Sequence, residues 1–291
     1  MCIGVFIWKA HPLHPFLLLL NRDEYHNRPT IPLGWWEAEE DDSQILGGRD
    51  ALAGGTWLAC TGDGRLAFLT NVRELYNSSS SQAQQQQPPK SRGHLPVRFL
   101  QSQKSPREFA DELVEEAGQY NGFNLIVADL SSVSMVYITN RPKAHGTVAT
   151  EVSPGIHVLS NAKLDTPWPK AQRLEQSFKD LMDKYGEGEV PLKEMSEKLM
   201  KDTTKDDESK LPQIYPPEWE YHLSSIFVDA QTPTGRYGTR STSVLTVKTS
   251  GDITFFEKHL DNDSWKEQII SFRIRKRKDD IVSSYKNVLL K

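Results

Sequence analysis

The chain opens on two apolar runs of the kind that form buried strands. Residues 2–8 read Cys-Ile-Gly-Val-Phe-Ile-Trp, and residues 16–21 are a phenylalanine and four leucines before Asn21. Short apolar runs bounded by turn residues are typical of strands that are covered on both faces. The connector between them contains Pro12 and Pro15, which favour a loop. A dense polar cluster, residues 21–24, ends the second run.

The same reading predicts the remaining elements. We expect strands at residues 57–60 and 66–71 (a hairpin), 123–130, 133–139, 155–161, 222–230, 237–248, 252–259 and 268–274. We expect helices at residues 105–117, 168–185 and 192–200, and a short one at the C-terminus. Ser105 and Glu108 form a capping-box pattern with Pro106 at the first helical position.

Other segments carry weaker patterns. Residues 25–42 read as an irregular loop with aromatic anchors, and residues 201–210 read as a loose, highly charged stretch. Glycine pairs at 47–48 and 54–55 suit tight turns and close backbone approach rather than a nucleotide loop, since no Gly-Lys-Ser/Thr follows. The Ser/Gln-rich stretch at about 77–93 cannot bury enough surface to order itself and reads as a flexible insertion.

Strands, then helices, then strands follow one another along the chain, so a doubly wound parallel sheet is disfavoured. The order suits an α+β fold, a four-layer αββα sandwich with mainly antiparallel sheets, which is the architecture of N-terminal-nucleophile hydrolases. With no linker and no repeat, residues 1–291 are expected to form a single domain.

The composition of the chain argues against several classes of function. The 291 residues carry a formal charge of -4, which argues against a nucleic-acid footprint. Cys2 and Cys60 are too few for a disulfide framework and fit a reducing compartment. No apolar run approaches the ~18 residues of a membrane helix, and no motif indicates a structural metal. The N-terminus has no basic region of the kind that opens a signal peptide.

Cys2 is the first candidate for chemistry. Its small size allows removal of Met1, which would leave a thiol and a free α-amine on one residue. Their reference pKa values, roughly 8.5 and 7.7–8.0, suit a nucleophile and its own general base. The alternative is that Cys2 is a small buried strand residue.

Further polar residues stand at the ends of predicted strands. Arg22 could lower the thiol pKa and hold substrate charge, and Asp23 could orient the α-ammonium group. Asn71 or Asn161 could donate to an oxyanion, and Arg240 could clamp a carboxylate or phosphate. The alternative for each is ordinary: turns, and surface ion pairs worth roughly 0–1 kcal/mol.

Several motifs resemble the NRDE family, whose eukaryotic members are called transport and Golgi organisation 2 homologues. They are Met-Cys at the start, residues 21–24 (Asn-Arg-Asp-Glu), 47–50 with 54–57, 69–73 and 160–170. The resemblance covers essentially the whole chain. More distantly, Cys2, Arg22, Asp23, Asn161 and Arg240 look like the active-site set of penicillin V and bile-salt amidohydrolases, and Asn71 fits that set less closely.

The resemblance implies a cytoplasmic protein, associated with the Golgi or with mitochondria, that acts in Golgi organisation, secretion and haem transport. Its partner would be a small amphipathic ligand, haem or an acyl compound, with no cofactor required. His11, His14 or Cys2 could touch haem iron, and Trp35, Trp36 and Trp57 could supply apolar walls. The alternative is a cysteine amidohydrolase acting on an acyl-amide or thioester.

Overall fold

Two antiparallel sheets of seven strands each form the centre of the molecule. A computed structural model describes residues 2–37, 44–75 and 89–275. In chain order the strands are β1 Ile3–Trp8, β2 Phe16–Tyr25, β3 Thr30–Trp35, β4 Ile45–Asp50, β5 Leu58–Thr61, β6 Arg65–Asn71, β7 Phe123–Asp129, β8 Ser134–Thr139, β9 Val148–Glu151, β10 Gly155–Leu159, β11 Asp229–Thr232, β12 Gly235–Val247, β13 Asp252–Asp261 and β14 Ser264–Arg273. The first sheet has the order β10-β1-β2-β12-β13-β14 with β11 paired to β12, and the second runs from β3 to β9 in sequence.

Helices cover the outer face of each sheet. They are α1 His94–Gln101, α2 Pro106–Glu116, α3 Pro169–Tyr185, α4 Leu192–Met200 and α5 Pro217–His222. Apolar residues of α3 and α4 pack on the first sheet, and those of α1 and α2 pack on the second. A third core lies between the two sheets. The predicted four-layer αββα architecture is therefore confirmed.

Strand β1 shows why the apolar runs do not alternate with polar residues. Ile3, Val5 and Ile7 face the helices, while Phe6 and Trp8 face the second sheet. Both faces are covered, so each position gains from burial, at about 25 cal/mol per Å² of apolar surface.

The helix predictions are confirmed at α2, α3 and α4. At the start of α2, the backbone N–H of Glu108 donates to Ser105 Oγ at 3.3 Å, and that of Ser105 donates to Glu108 Oε2 at 2.8 Å. On α3, Leu174 and Phe178 are fully buried, and Tyr185 at its end is partly buried.

The expectation of an irregular loop over residues 25–42 is wrong for its middle part, and residues 38–42 lie outside the described residues. β2 continues to Tyr25, and residues 30–35 form β3 at the edge of the second sheet. Only Leu33 is buried in this strand, so the apolar period that marks other strands is absent. Gly47 and Gly48 lie inside β4 rather than in a turn, although close approach is confirmed: a Cβ on Gly48 would lie 2.4 Å from the Trp57 ring.

The strand predicted over residues 222–230 is also wrong. α5 ends at His222 and β11 begins only at Asp229. Residues 201–210 are not loose: Asp202 accepts from Arg173 at 2.8 Å, and Lys205 Nζ donates to the carbonyl of His222 at 2.7 Å. These hydrogen bonds hold residues 201–210 against α3 and α5.

Two predictions fall largely or wholly outside the described residues. The Ser/Gln-rich insertion is described only from residue 89, just before Gly93 opens α1. The C-terminal helix lies beyond residue 275. The single domain stays a prediction.

Candidate functional site

Cys2 lies at the edge of the core between the two sheets. It precedes β1, which is hydrogen-bonded to β10 and β2, and it packs against the inter-sheet core. Ser160 Oγ donates to the Cys2 carbonyl at 3.3 Å. Burial and the charge of Asp23 raise the pKa of the Cys2 thiol, while a hydrogen bond from the Asp23 backbone N–H and the charge of Arg22 oppose that rise.

Arg22 stands beside Cys2 on the neighbouring strand. Its guanidinium carbon lies 4.1 Å from the centroid of the Trp57 ring, in a cation–π contact. Arg22 is only 4% exposed, and its Nη1 has no hydrogen-bond partner among the described residues. Burial therefore lowers the pKa of Arg22, and a buried cation of this kind favours an anionic ligand.

Asp23 is held from the opposite face of β2. Thr239 Oγ1 donates to Asp23 Oδ1 at 2.8 Å, and Tyr237 OH donates to its carbonyl at 3.3 Å. Burial raises the pKa of Asp23, and the nearby charge of Lys170 acts against the rise.

These residues share a depression that we call the Cys2 cleft. It has a volume of about 280 Å³ and is lined by Cys2, Arg22, Asp23, Trp57, Asn71 and Arg92, among others. The sequence-predicted Cys2, Arg22, Asp23, Asn71 and Trp57 are thus brought together.

Asn161 lies behind Asn71 rather than in the cleft. It is fully buried, and its Nδ2 donates to the Asn71 carbonyl at 2.8 Å. The backbone N–H of Arg73 donates to the Asn161 carbonyl at 2.7 Å. In this structure Asn161 positions the end of β6.

Arg240 occupies a β-bulge. Thr239 pairs with Asp23 and Ser241 pairs with Arg22, so Arg240 is the extra residue. Its Nη1 donates to the carbonyls of Tyr25 (3.2 Å) and Arg28 (2.6 Å).

Arg240 lines a second space that we call the inter-sheet cavity. Its volume is about 440 Å³, and its lining includes Arg22, Trp57, Arg240, Ser241, Glu257 and His259. Arg22 and Trp57 line both this cavity and the Cys2 cleft. Arg240 therefore lines the inter-sheet cavity together with Arg22, but it does not line the Cys2 cleft.

His11, His14 and Trp35 lie elsewhere. His11 Nε2 bonds the Gly186 carbonyl at 2.9 Å, and His14 Nδ1 bonds Thr246 Oγ1 at 2.8 Å. Both follow the far end of β1 from Cys2. The Trp35 ring packs on Phe272 with centroids 5.1 Å apart.

The sequence reasoning missed two cations near Cys2. Lys170 Nζ donates to the Leu223 carbonyl at 2.9 Å, and burial lowers the pKa of Lys170 to about 7. Its signal was its place in the 160–170 motif. Arg92 Nη1 donates to the Gly122 carbonyl at 3.0 Å. Arg92 was hidden in the low-complexity stretch, whose end is fixed where the Thr56 N–H donates to the Gly93 carbonyl at 2.9 Å.

The described parts of the chain show neither a metal-ligand cluster nor a membrane-spanning helix. No group of three or more His, Cys, Asp or Glu side chains there could hold a metal ion. Among the helices of those parts, none has the length and apolar character needed to cross a membrane.

Two solved structures with a similar fold carry the names of hydrolases. A C2A mutant of conjugated bile acid hydrolase from Clostridium perfringens matches with a TM-score of 0.49 and 12% identity, over 95% of this chain and 98% of that one. The Caenorhabditis elegans orthologue of N-acylethanolamine-hydrolyzing acid amidase matches with a TM-score of 0.42 and 14% identity, over 67% of this chain and 84% of that one.

Sequence relatives are closer. The chain is 30% identical to the transport and Golgi organization 2 homolog of Mus musculus, over 94% of this chain and all of that protein. It is 29% identical to the Homo sapiens homolog, with the same coverage. The family model described as Transport and Golgi organisation 2 matches residues 1–262. The chain belongs to the Transport and Golgi organisation 2 family.

Proposed function

We propose that this chain binds a small amphipathic anion in the Cys2 cleft, and that it handles this ligand in the trafficking role its family name suggests. The carrying observation is Arg22: a buried guanidinium, stacked on Trp57, with one N–H group that no described residue accepts. A carboxylate or phosphate would complete its hydrogen bonding.

The charges around the cleft support an anion. The acids of the lining are Asp23, Glu24 and Asp50. Arg28 lies 2.7 Å from Asp50 and 3.9 Å from Glu24, and burial raises the pKa of Asp23. Within the described residues, no ion pair involves Arg22 or Arg92, and burial lowers the pKa of both. A negative ligand would offset the cost of keeping two cations out of water.

The residues present fit the propionate end of haem better than its ring. Arg22 and Arg92 suit carboxylates, and Trp57 and Leu69 offer apolar contact. The rest of the lining is mostly polar, and His11 and His14 lie too far along β1 to reach the cleft. Cys2 is the sequence-predicted iron ligand that remains beside it. Haem and long-chain acyl anions are therefore both candidates of the same ligand class.

Titration of the full chain tests the proposal. Haem is followed by absorbance and N-oleoylglycine by calorimetry, in wild type, Arg22→Gln and the exposed charge-matched control Arg107→Gln. We expect a Kd of about 10 µM or tighter for at least one probe, weakened about 10- to 100-fold by Arg22→Gln because a charge-assisted hydrogen bond is lost. No saturable binding of either probe to wild type would refute the proposal.

A cysteine amidohydrolase is the second candidate, favoured by the placement of Asn71 and the Asp23 N–H around Cys2. After removal of Met1, the α-amine of Cys2 would take the thiol proton. The thiolate would attack an amide carbonyl, and Asn71 would donate to the oxyanion. Collapse of this intermediate would break the C–N bond, the α-ammonium of Cys2 would return its proton to the leaving amine, and water would then hydrolyse the thioester to release the acid and the thiol. Intact mass of the protein from its own cells decides the mechanism, since a chain that retains Met1 has no free amine on Cys2.

A further inference from the structure

A polar row crosses three neighbouring strands inside the sandwich. Ser241 on β12 is paired with Arg22 on β2 and with His259 on β13. Residues directly opposite one another in a sheet share a face, and Arg22 faces the second sheet because it stacks on Trp57. All three side chains therefore project into the inter-sheet cavity, which they line.

Each member of this row has a buried polar atom without a hydrogen-bond partner in the described chain. The atoms are Arg22 Nη1, Ser241 Oγ and His259 Nδ1, and Arg240 Nε on the adjoining bulge is a fourth. Arg22 and Ser241 are each 4% exposed and His259 is 8% exposed. Folded proteins satisfy such groups with few exceptions, because an unpaired buried polar atom destabilises the fold. Their convergence on one cavity indicates a bound group.

The acids around the cavity are largely neutralised. Asp261 is paired with Lys266, and Asp263 lies 3.8 Å from Arg236. Burial raises the pKa of Glu257 to about 7, so much of this carboxyl is protonated at neutral pH.

The Glu257 carboxyl makes two contacts beside the cavity. Glu257 Oε1 accepts from the Leu33 backbone N–H at 2.7 Å. It also lies 3.5 Å from His259 Nδ1, but burial lowers the pKa of His259, so this contact joins a neutral ring to the carboxyl. The guanidinium groups of Arg22 and Arg240 thus have no carboxylate ion pair among the described residues, and they dominate the charge of the cavity.

We propose that the inter-sheet cavity is an oxyanion site in which Arg22, Arg240 and Ser241 bind a carboxylate or phosphate group. Resting on the proposed function, we assign this group as the headgroup of the amphipathic ligand, whose body passes Trp57 into the Cys2 cleft. Arg22 and Trp57 line both spaces, so a ligand bound against them adjoins both. A volume of about 440 Å³ is in the range of small-molecule sites.

Short anions test the cavity separately from the cleft. Inorganic phosphate and succinate are titrated into the full chain by calorimetry, with the ring nitrogens of His259 followed by ¹⁵N NMR. The variants are Ser241→Val and Arg240→Gln, with Arg240→Lys in case the glutamine does not fold, and Arg107→Gln as the charge-matched control.

We expect at least one short anion to saturate wild type and shift His259. Ser241→Val and the Arg240 variants should weaken that anion about tenfold or more, while Arg107→Gln stays within about twofold. Phosphate alone, or succinate alone, would identify the headgroup class. Absence of saturation, or equal affinity in Ser241→Val, would show an adventitious ion only and overturn the site.

N-oleoylglycine separates this inference from the proposed function. If it binds wild type and Ser241→Val equally while neither short anion binds, the oxyanion site is refuted and the cleft proposal survives. If a short anion binds as described but neither N-oleoylglycine nor haem binds, the cavity stands and the amphipathic ligand is refuted.

Discussion

The inner face of the first sheet has two unlike ends. On β12, Leu245 and Val247 at one end belong to the core between the sheets. At the other end, on the same face of the same strand, stand Ser241 and Ser243, and Glu257 is paired with Ser243. Because this face of β12 lies between the two sheets, apolar residues would be favoured along its whole length. At the polar end the fold therefore buries less apolar surface. Arg22 lies at this end, beside Cys2.

The difference shows which part of the core determines stability and which part is available for binding. Apolar side chains at the first end gain from close packing. At the second end, buried polar atoms without partners lower stability until a ligand supplies partners. Functional sites are where such local conflicts are expected.

The largest expected effect is at the apolar end. Leu18 is fully buried between the sheets, so Leu18→Ala should lower the free energy of unfolding by about 2–5 kcal/mol through lost burial and a cavity. Urea denaturation measures it. Leu52→Ala, at a side chain 70% exposed, is the matched control and should change stability by about 0.5 kcal/mol or less. Similar losses of stability in both variants would contradict the claim that burial at the apolar end determines stability.

A smaller effect of opposite sign is expected at Glu257. Burial raises the pKa of Glu257 from 4.5 to about 7, so the folded state keeps a proton that the unfolded chain releases. Stability therefore falls as pH rises from about 4.5 to 7 and stays lower above it. Glu257→Gln cannot lose that proton and should be more stable than wild type at pH 8 by at most about 3 kcal/mol, with little gain at pH 4.

Thermal unfolding from pH 4 to pH 8 measures this difference. Glu115→Gln, on the exposed side of α2, is the control and should leave the shape of the curve unchanged. A Glu257→Gln curve parallel to wild type would mean that the carboxyl is not buried as described.

The smallest effect is expected at Ser241. Removing a buried hydroxyl oxygen that has no partner in the described chain relieves a cost, so Ser241→Ala should be neutral or stabilising by up to about 1 kcal/mol. Urea denaturation is again the measurement. A loss of more than about 1 kcal/mol would show that the hydroxyl holds the fold together, which would make the polar end structural.

The sequence predicted the parts of the site that are close along the chain. Cys2 and Arg22 stand on neighbouring strands joined by a short proline-containing connector, so an antiparallel hairpin brings them together. The αββα class followed from the order of the elements, and α2 from its capping box.

Residues far apart along the chain were beyond the same reasoning. Ser241 and His259 meet Arg22 only because β12 lies between β2 and β13, and the bulge at Arg240 decides which side chains face inward. A bulge shifts register by one residue, and such a shift exchanges the two faces of a strand. Lys170 lies at the start of α3, and its buried contact with the Leu223 carbonyl joins segments too far apart along the chain for spacing to indicate.

The central claim is that an amphipathic anion lies against Cys2, and thiol alkylation tests it most directly. Cys60 is fully buried whereas Cys2 is partly exposed, so Cys60 serves as an internal unreactive control. Intact mass follows the rate of single alkylation of the full chain by iodoacetamide, with and without saturating N-oleoylglycine or haem. We predict that one of these ligands slows modification of Cys2 about tenfold or more by occluding it. An unchanged rate at ligand concentrations that saturate binding would contradict the claim.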